Sequence, residues 1–220
     1  MITFKQFLQE DEELPDAREF LHRECKPFIQ QSQGAGVFLR GVDTRNPPEL
    51  MGEFRLPSGR TIRLHKMKVR KDRHPMDTST FMHTVTDEWM REKFGISGRS
   101  GSAFVIGDKE FTAYKDAMSY GDVYAVIPRG DFKFLWSPNV RDLFDQYQYK
   151  GLKDKITGLH RDEKIQMIRD ELESLQYTDA DLPGAIKSGR EVMLECDELI
   201  MMYAMDGYRD DIKDLQELLK

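Results

Sequence analysis

The 220-residue chain predicts an α+β fold, a mixed or antiparallel β core with peripheral helices, on three observations. Short apolar strand-like runs alternate with helically spaced segments through the middle of the chain. One pair of runs is joined by a PSG turn, and a last pair lies beyond the breaker Pro183-Gly184. Residues 1–33 read as a helical segment packed on the core, and residues 34–220 as a single domain ending in a C-terminal helix.

The elements follow in order. Ala17, Phe20, Leu21, Cys25, Phe28 and Ile29 fall at spacings of three and four, which predicts one amphipathic helix over Asp16 to Gln31 entered after Pro15. Before it, Phe4, Phe7 and Leu8 form a shorter apolar set of their own. VFLRGVD reads as a first strand stopped by Pro47 and Pro48, and GEFRLPSGRTIRLHKM as a hairpin. Phe81, Val85, Trp89 and Phe94 share a helix face over Thr80 to Phe94, with Gly95 as its cap. SAFVIGD is a buried strand, Lys109 to Ser119 a short helix and DVYAVIP another strand, while FLWSPNVRDL reads as core plus turn. Ile165, Ile168, Leu172 and Leu175 mark a helix over Asp162 to Leu175. REVMLECDELIMMYAMD then reads as two strands or one bent strand, and Tyr208, Ile212, Leu215 and Leu219 as the final helix.

A chain with 39% hydrophobic residues and 13 Phe has the material for a core, which sets aside collagen-like and wholly disordered classes. The net charge of −6 excludes a basic coat over the whole surface. Charge is unevenly placed, however: eight Lys or Arg lie between Arg55 and Arg73 against the single acid Asp72. Runs such as VYAVIP are too short to cross a bilayer, and MITFKQFLQEDEELPD has no apolar export core, so the expected location is cytoplasmic, with no membrane partner. Cys25 and Cys196 read as reduced, buried thiols.

Walker, Rossmann, G-x-S-x-G, HExxH and EF-hand patterns do not occur, and the five histidines have no ligand spacing, so no metal is expected. The informative constellation has three parts. VFLRGVD places Arg40 late in a strand; RSGSAFVIGD precedes a short helix and YGDVYAVIP; GREVMLECDELIMM opens a late strand with Glu191. Taken together these segments resemble the ADP-ribosyltransferase family, over roughly Val37 to Met202.

The resemblance implies a split β core, a catalytic-type domain, and NAD as substrate without a metal. It also implies transfer of ADP-ribose to a macromolecular acceptor, protein or nucleic acid, with release of nicotinamide. Glu191 would be catalytic, because a carboxylate stabilises an oxocarbenium-like ribose, and Ser102 would support it. Arg40 beside Gly41 would hold the pyrophosphate, and Phe104, Tyr114 or Tyr120 would stack on nicotinamide. The sequence departs from arginine-modifying members: Gly189 stands where they carry a second Glu, and RSGSAF has no threonine. The acidic chain with its MITFKQFLQE start looks like proteins encoded by bacteriophages, which would place it in a host cytoplasm acting on a host macromolecule.

Each residue also has a plainer reading: Arg40 and Glu191 as solvated strand positions, Ser100 and Ser102 as turn formers, the tyrosines as core. Two other functions stay open at this point. One is a non-catalytic interaction or virion-associated protein on the same fold. The other is a nucleic-acid-binding module using Arg55, Arg60, Arg63, Lys66, Lys68, Arg70, Lys71 and Arg73. Within that tract Arg70 and Arg73, beside Pro75 and Asp77, also read as a salt-bridge corner, as contacts to cofactor phosphates or as a site for an acidic partner.

Overall fold

A computed structural model describes residues 14–75, 78–108, 113–149, 151–204 and 208–220. Phe4, Phe7 and Leu8 lie outside the described residues. The molecule is α+β, with an eight-stranded sheet and helices around it. The strands are β1 (Phe38–Val42), β2 (Glu49–Arg55), β3 (Thr61–Lys68), β4 (Ala103–Gly107), β5 (Asp122–Arg129), β6 (Lys133–Trp136), β7 (Glu191–Glu195) and β8 (Glu198–Tyr203). They lie in the order β2-β3-β8-β5-β1-β4-β7-β6, and every pairing between them is antiparallel.

The order carries a geometric consequence. β7 and β8 are joined only through Cys196 and Asp197, yet four strand spacings separate them. In a flat sheet that separation is about 19 Å, whereas three residue steps span at most about 11 Å. The sheet must therefore fold back on itself. The weak seam is β1·β4, paired only at Phe38↔Gly107 and Leu39↔Ile106, while the other edge of β1 pairs with β5 at five positions. The core is thus split into halves, β2-β3-β8-β5-β1 and β4-β7-β6.

The predicted first helix is two helices, α1 (Ala17–Glu24) and α2 (Lys26–Ser32), broken at Cys25. Pro27 causes the break, since it has no N–H for an intrahelical bond and sits in the first turn of α2, where none is needed. Leu21, Cys25 and Phe28 are fully buried, so α1 and α2 pack on the core. α3 (Thr80–Phe94) has the predicted bounds, capped by the Ser79 hydroxyl at the Met82 amide and by Gly95 in the left-handed region at φ 66°. α4 (Ala113–Met118) covers β1 so closely that a Cβ on Gly41 would lie 2.0 Å from the Ala117 carbonyl oxygen.

The FLWSPNVRDL segment is more than core plus turn. It supplies β6 and a turn in which the Ser137 hydroxyl accepts the Asn139 and Val140 amides, leading to α5 (Leu143–Tyr149). α6 (Leu152–Ile156) and α7 (Arg161–Ser174) follow. Pro183-Gly184 opens a helix rather than breaking the chain: in α8 (Leu182–Lys187) the Asp181 carboxylate accepts the Gly184 amide and the proline falls in the first turn. α9 (Tyr208–Leu218) closes the chain with Leu215 and Leu219 buried; the side chains of Tyr208 and Ile212 lie outside the description.

Two apolar clusters result. The larger fills the sheet halves with α1, α2, α8 and α9, and the smaller packs Met193 and Leu135 against Trp89 of α3 and Leu172 of α7. Both cysteines are free and buried, and burial pushes each thiol up to about 12. No helix among the described residues is long and apolar enough to cross a membrane.

Candidate functional site

The three segments singled out in the sequence become the neighbouring strands β1, β4 and β7. Register then decides which side chains meet. Leu39 is opposite Ile106 and Ile106 opposite Glu191, so these three share a face with Phe104 and Met193. Arg40, next along β1, alternates with Leu39 just where the β1·β4 pairing ends. Its guanidinium donates to the Phe104 carbonyl at this seam. Burial, with Arg73 nearby, pulls the Arg40 pKa down to about 10.

On the Glu191 face the cations are Arg73 and Arg99. Both lie over the Phe104 ring, their guanidinium carbons 4.2 and 4.8 Å from its centroid. Arg73 is fixed by its amide on the Ser100 carbonyl and by Nη1 on the Ser102 carbonyl, each at 3.0 Å. Its pKa is lowered, first by burial and then by the like charge of Arg99, with Glu191 opposing. Arg99 is only 9% exposed, and its Nε, like that of Arg40, is buried without a hydrogen-bond partner. None of Arg40, Arg73 and Arg99 forms an ion pair among the described residues.

Glu191 is half-buried at the first position of β7, its amide held by the Arg141 carbonyl at 2.9 Å. Burial raises its carboxyl to about 7; Asp142 pushes the same way, and Arg99, the Leu143 amide and Arg73 oppose. The buried phenols of Tyr147 and Tyr177 stand close enough to feel this charge, and both are raised, chiefly by burial. His83, nearly buried on α3, has its pKa lowered by burial and by Arg99, and its Nδ1 has no partner. The cluster therefore has more fixed positive than negative charge near neutral pH, beside an acid that titrates there. Such a site suits an anionic ligand together with proton or cation-stabilising chemistry.

The other expected residues are placed as follows. The Ser102 hydroxyl donates to the Ser97 carbonyl at 3.1 Å, so Ser102 meets the site through its backbone, which receives Arg73. Ser100 donates to Asp87. Gly41 lies under α4, and Tyr120 is 64% exposed beside it. The Tyr114 hydroxyl reaches the Ala204 carbonyl at 3.4 Å, with its ring against the core. Among these aromatic residues, Phe104 alone lies under the guanidinium groups.

Arg99, Asp87, Asp142, His83, Tyr147 and Tyr177 were not assigned to the site from sequence. The available signal was SGRSGS, a cation between small turn residues at a helix-to-strand junction. The basic tract is also redistributed. Arg60 pairs with Asp214, Arg63 with Glu53, Lys66 with Glu49, Arg70 with Asp72 and Lys71 with Asp197, while Arg73 turns into the site. Among the described residues no group of three or more acidic, His or Cys side chains could hold a metal ion.

A scan against protein-family models, a search of curated proteins and a search of solved structures each return no match to this chain.

Proposed function

We propose that the protein cleaves the nicotinamide N-glycosidic bond of NAD and transfers ADP-ribose to a macromolecular acceptor, on a fold of the ADP-ribosyltransferase kind. The observation that carries this reading is the Glu191 carboxyl, raised to about 7, set against Arg73 and Arg99 over the Phe104 ring. The adjacency of β1, β4 and β7 supports it, since the three motif-bearing strands stand side by side.

NAD fits these residues on chemical grounds. Its pyrophosphate is the counter-charge that Arg73 and the unpartnered Nε of Arg99 would take through charge-assisted bonds. NAD supplies the glycosidic bond, whose electron pair leaves with nicotinamide. Phe104 forms an apolar wall with its face already occupied by guanidinium groups, so it orients the arginines rather than stacking freely. Glu191 in its ionised form stabilises positive charge on the ribose carbon, and at its raised pKa it also accepts the proton released by the attacking acceptor. Arg40 positions the site by bracing the Phe104 carbonyl at the seam.

The test is incubation of wild type and Glu191→Gln with adenylate-labelled NAD and a cell lysate. Wild type is expected to label a macromolecule and the variant to label it at least about a hundredfold more slowly. Equal labelling by the two removes Glu191 from its role; labelling by neither, with no NAD-dependent thermal shift, overturns the reading.

A further inference from the structure

A cavity lies between the start of α3 and the α5–α7 segment, with a volume of about 720 Å³. That is within the range of roughly 300–1,000 Å³ usual for small-molecule sites. Its lining has two characters. Phe81, Tyr147 and Ile156 make it apolar, while Lys153, Arg161 and Lys164 bring cations and none of the lining residues is acidic. Those three cations form no ion pair among the described residues, unlike most of the Arg55 to Arg73 tract. Tyr147 links the cavity to the Glu191 site: it is among the residues lining the cavity, its hydroxyl bonds Thr86, and its phenol responds to Arg99 and Glu191.

A ligand for this space needs a flat apolar part and a compact anionic part within one molecule. We infer that the cavity binds a nucleoside phosphate, free or as the 5′-terminal nucleotide of a strand, with its base on the apolar wall and its phosphate on Lys153, Arg161 and Lys164. This site goes beyond the proposed NAD chemistry and does not depend on it.

The experiment is calorimetric titration of the full chain with AMP, adenosine and a 5′-phosphorylated oligonucleotide. Three proteins are compared: wild type, the Lys153→Ala/Arg161→Ala/Lys164→Ala variant, and Arg99→Ala. AMP or the phosphorylated strand is expected to bind wild type at least about tenfold more tightly than adenosine does. The triple variant should lose that preference and Arg99→Ala should keep it; whichever phosphate carrier binds more tightly identifies the source. Because Lys153 is exposed, Lys153→Glu gives the same reading should the triple variant fail to fold. Equal affinity for AMP and adenosine overturns the inference. So does phosphate-dependent binding that survives in the triple variant and is lost in Arg99→Ala, because the ligand then sits over Phe104. NAD turnover measured on the triple variant separates the two readings, since it reports on Glu191 whether or not the cavity binds.

Discussion

The Asp87 carboxylate receives the Arg99 amide at 2.8 Å, so a nearly buried acid on α3 fixes the backbone from which a site cation projects. The same carboxylate takes the Ser100 amide at 3.1 Å, the Ser100 hydroxyl at 2.6 Å and Arg91 at 2.8 Å. From the strand side, Glu195 holds the Ser97 amide at 2.6 Å. The Ser97–Ser102 loop is thus pinned at Ser97, Arg99 and Ser100, which fixes the backbone that carries Arg99 over Phe104.

Asp87→Ala removes the acceptor of four hydrogen bonds and leaves the donors of a tight loop unpaired. The expected loss is about 2–4 kcal/mol of stability, measured by urea denaturation. Asp87→Asn retains an acceptor for the Arg99 amide and should lose less. A loss under about 0.5 kcal/mol for Asp87→Ala would show that the loop is held by other contacts.

Glu191 gives stability a defined pH dependence. Its folded-state pKa is raised from 4.5 to about 7, so the folded chain keeps this proton where the unfolded chain has released it. The stabilisation from the neutral acid is complete below pH 4.5 and is lost as pH rises to about 7. At pH 8 the relative cost is about 3 kcal/mol. Glu191→Gln should therefore match wild type near pH 4.5 and exceed it in thermal stability at pH 8. Parallel stability curves for the two proteins from pH 4.5 to 8 would contradict the raised pKa.

Much of the fold was legible because apolar spacing and cap residues report local structure directly, as at α3 between Ser79 and Gly95. Two misreadings came from proline. Pro27 and Pro183 each begin a helix, a distinction that depends on whether the preceding turn has somewhere else to go. Glu191 and Phe104 were named through the family resemblance, and the β4–β7 register sets them on one face. Arg99 was not, and Arg73 was legible only as a cation open to several roles: their convergence on one ring depends on the pairing of β4 and β7 and on the Ser97–Ser102 loop, contacts far apart in sequence. Arg40 was assigned by its segment; it alternates with Leu39 along β1, and its guanidinium bonds the Phe104 carbonyl with Arg73 nearby.

Gly41→Ala tests the packing that closes the seam. The added methyl would lie 2.0 Å from the Ala117 carbonyl oxygen and 2.8 Å from Tyr120 Cβ, so α4 must move. The expected cost is about 1–3 kcal/mol, with faster hydrogen exchange in α4 than in α7. Unchanged stability would mean that α4 shifts freely over β1.

Arg99→Lys is not a neutral change here, because a point charge neither stacks on Phe104 nor presents a planar fork. NAD affinity measured by calorimetry should fall roughly tenfold, and further with Arg73→Ala added. Retained affinity in the double variant would remove these arginines from the pyrophosphate role.

The most direct measurement is nicotinamide release from NAD by the purified chain, with wild type and Glu191→Gln compared at pH 8 under saturating NAD. The expected result is slow release by wild type, loss of at least about a hundredfold in the variant, and NAD binding retained by both. Equal release rates, or NAD binding by neither protein, would contradict the assignment of Glu191 to glycosidic-bond chemistry.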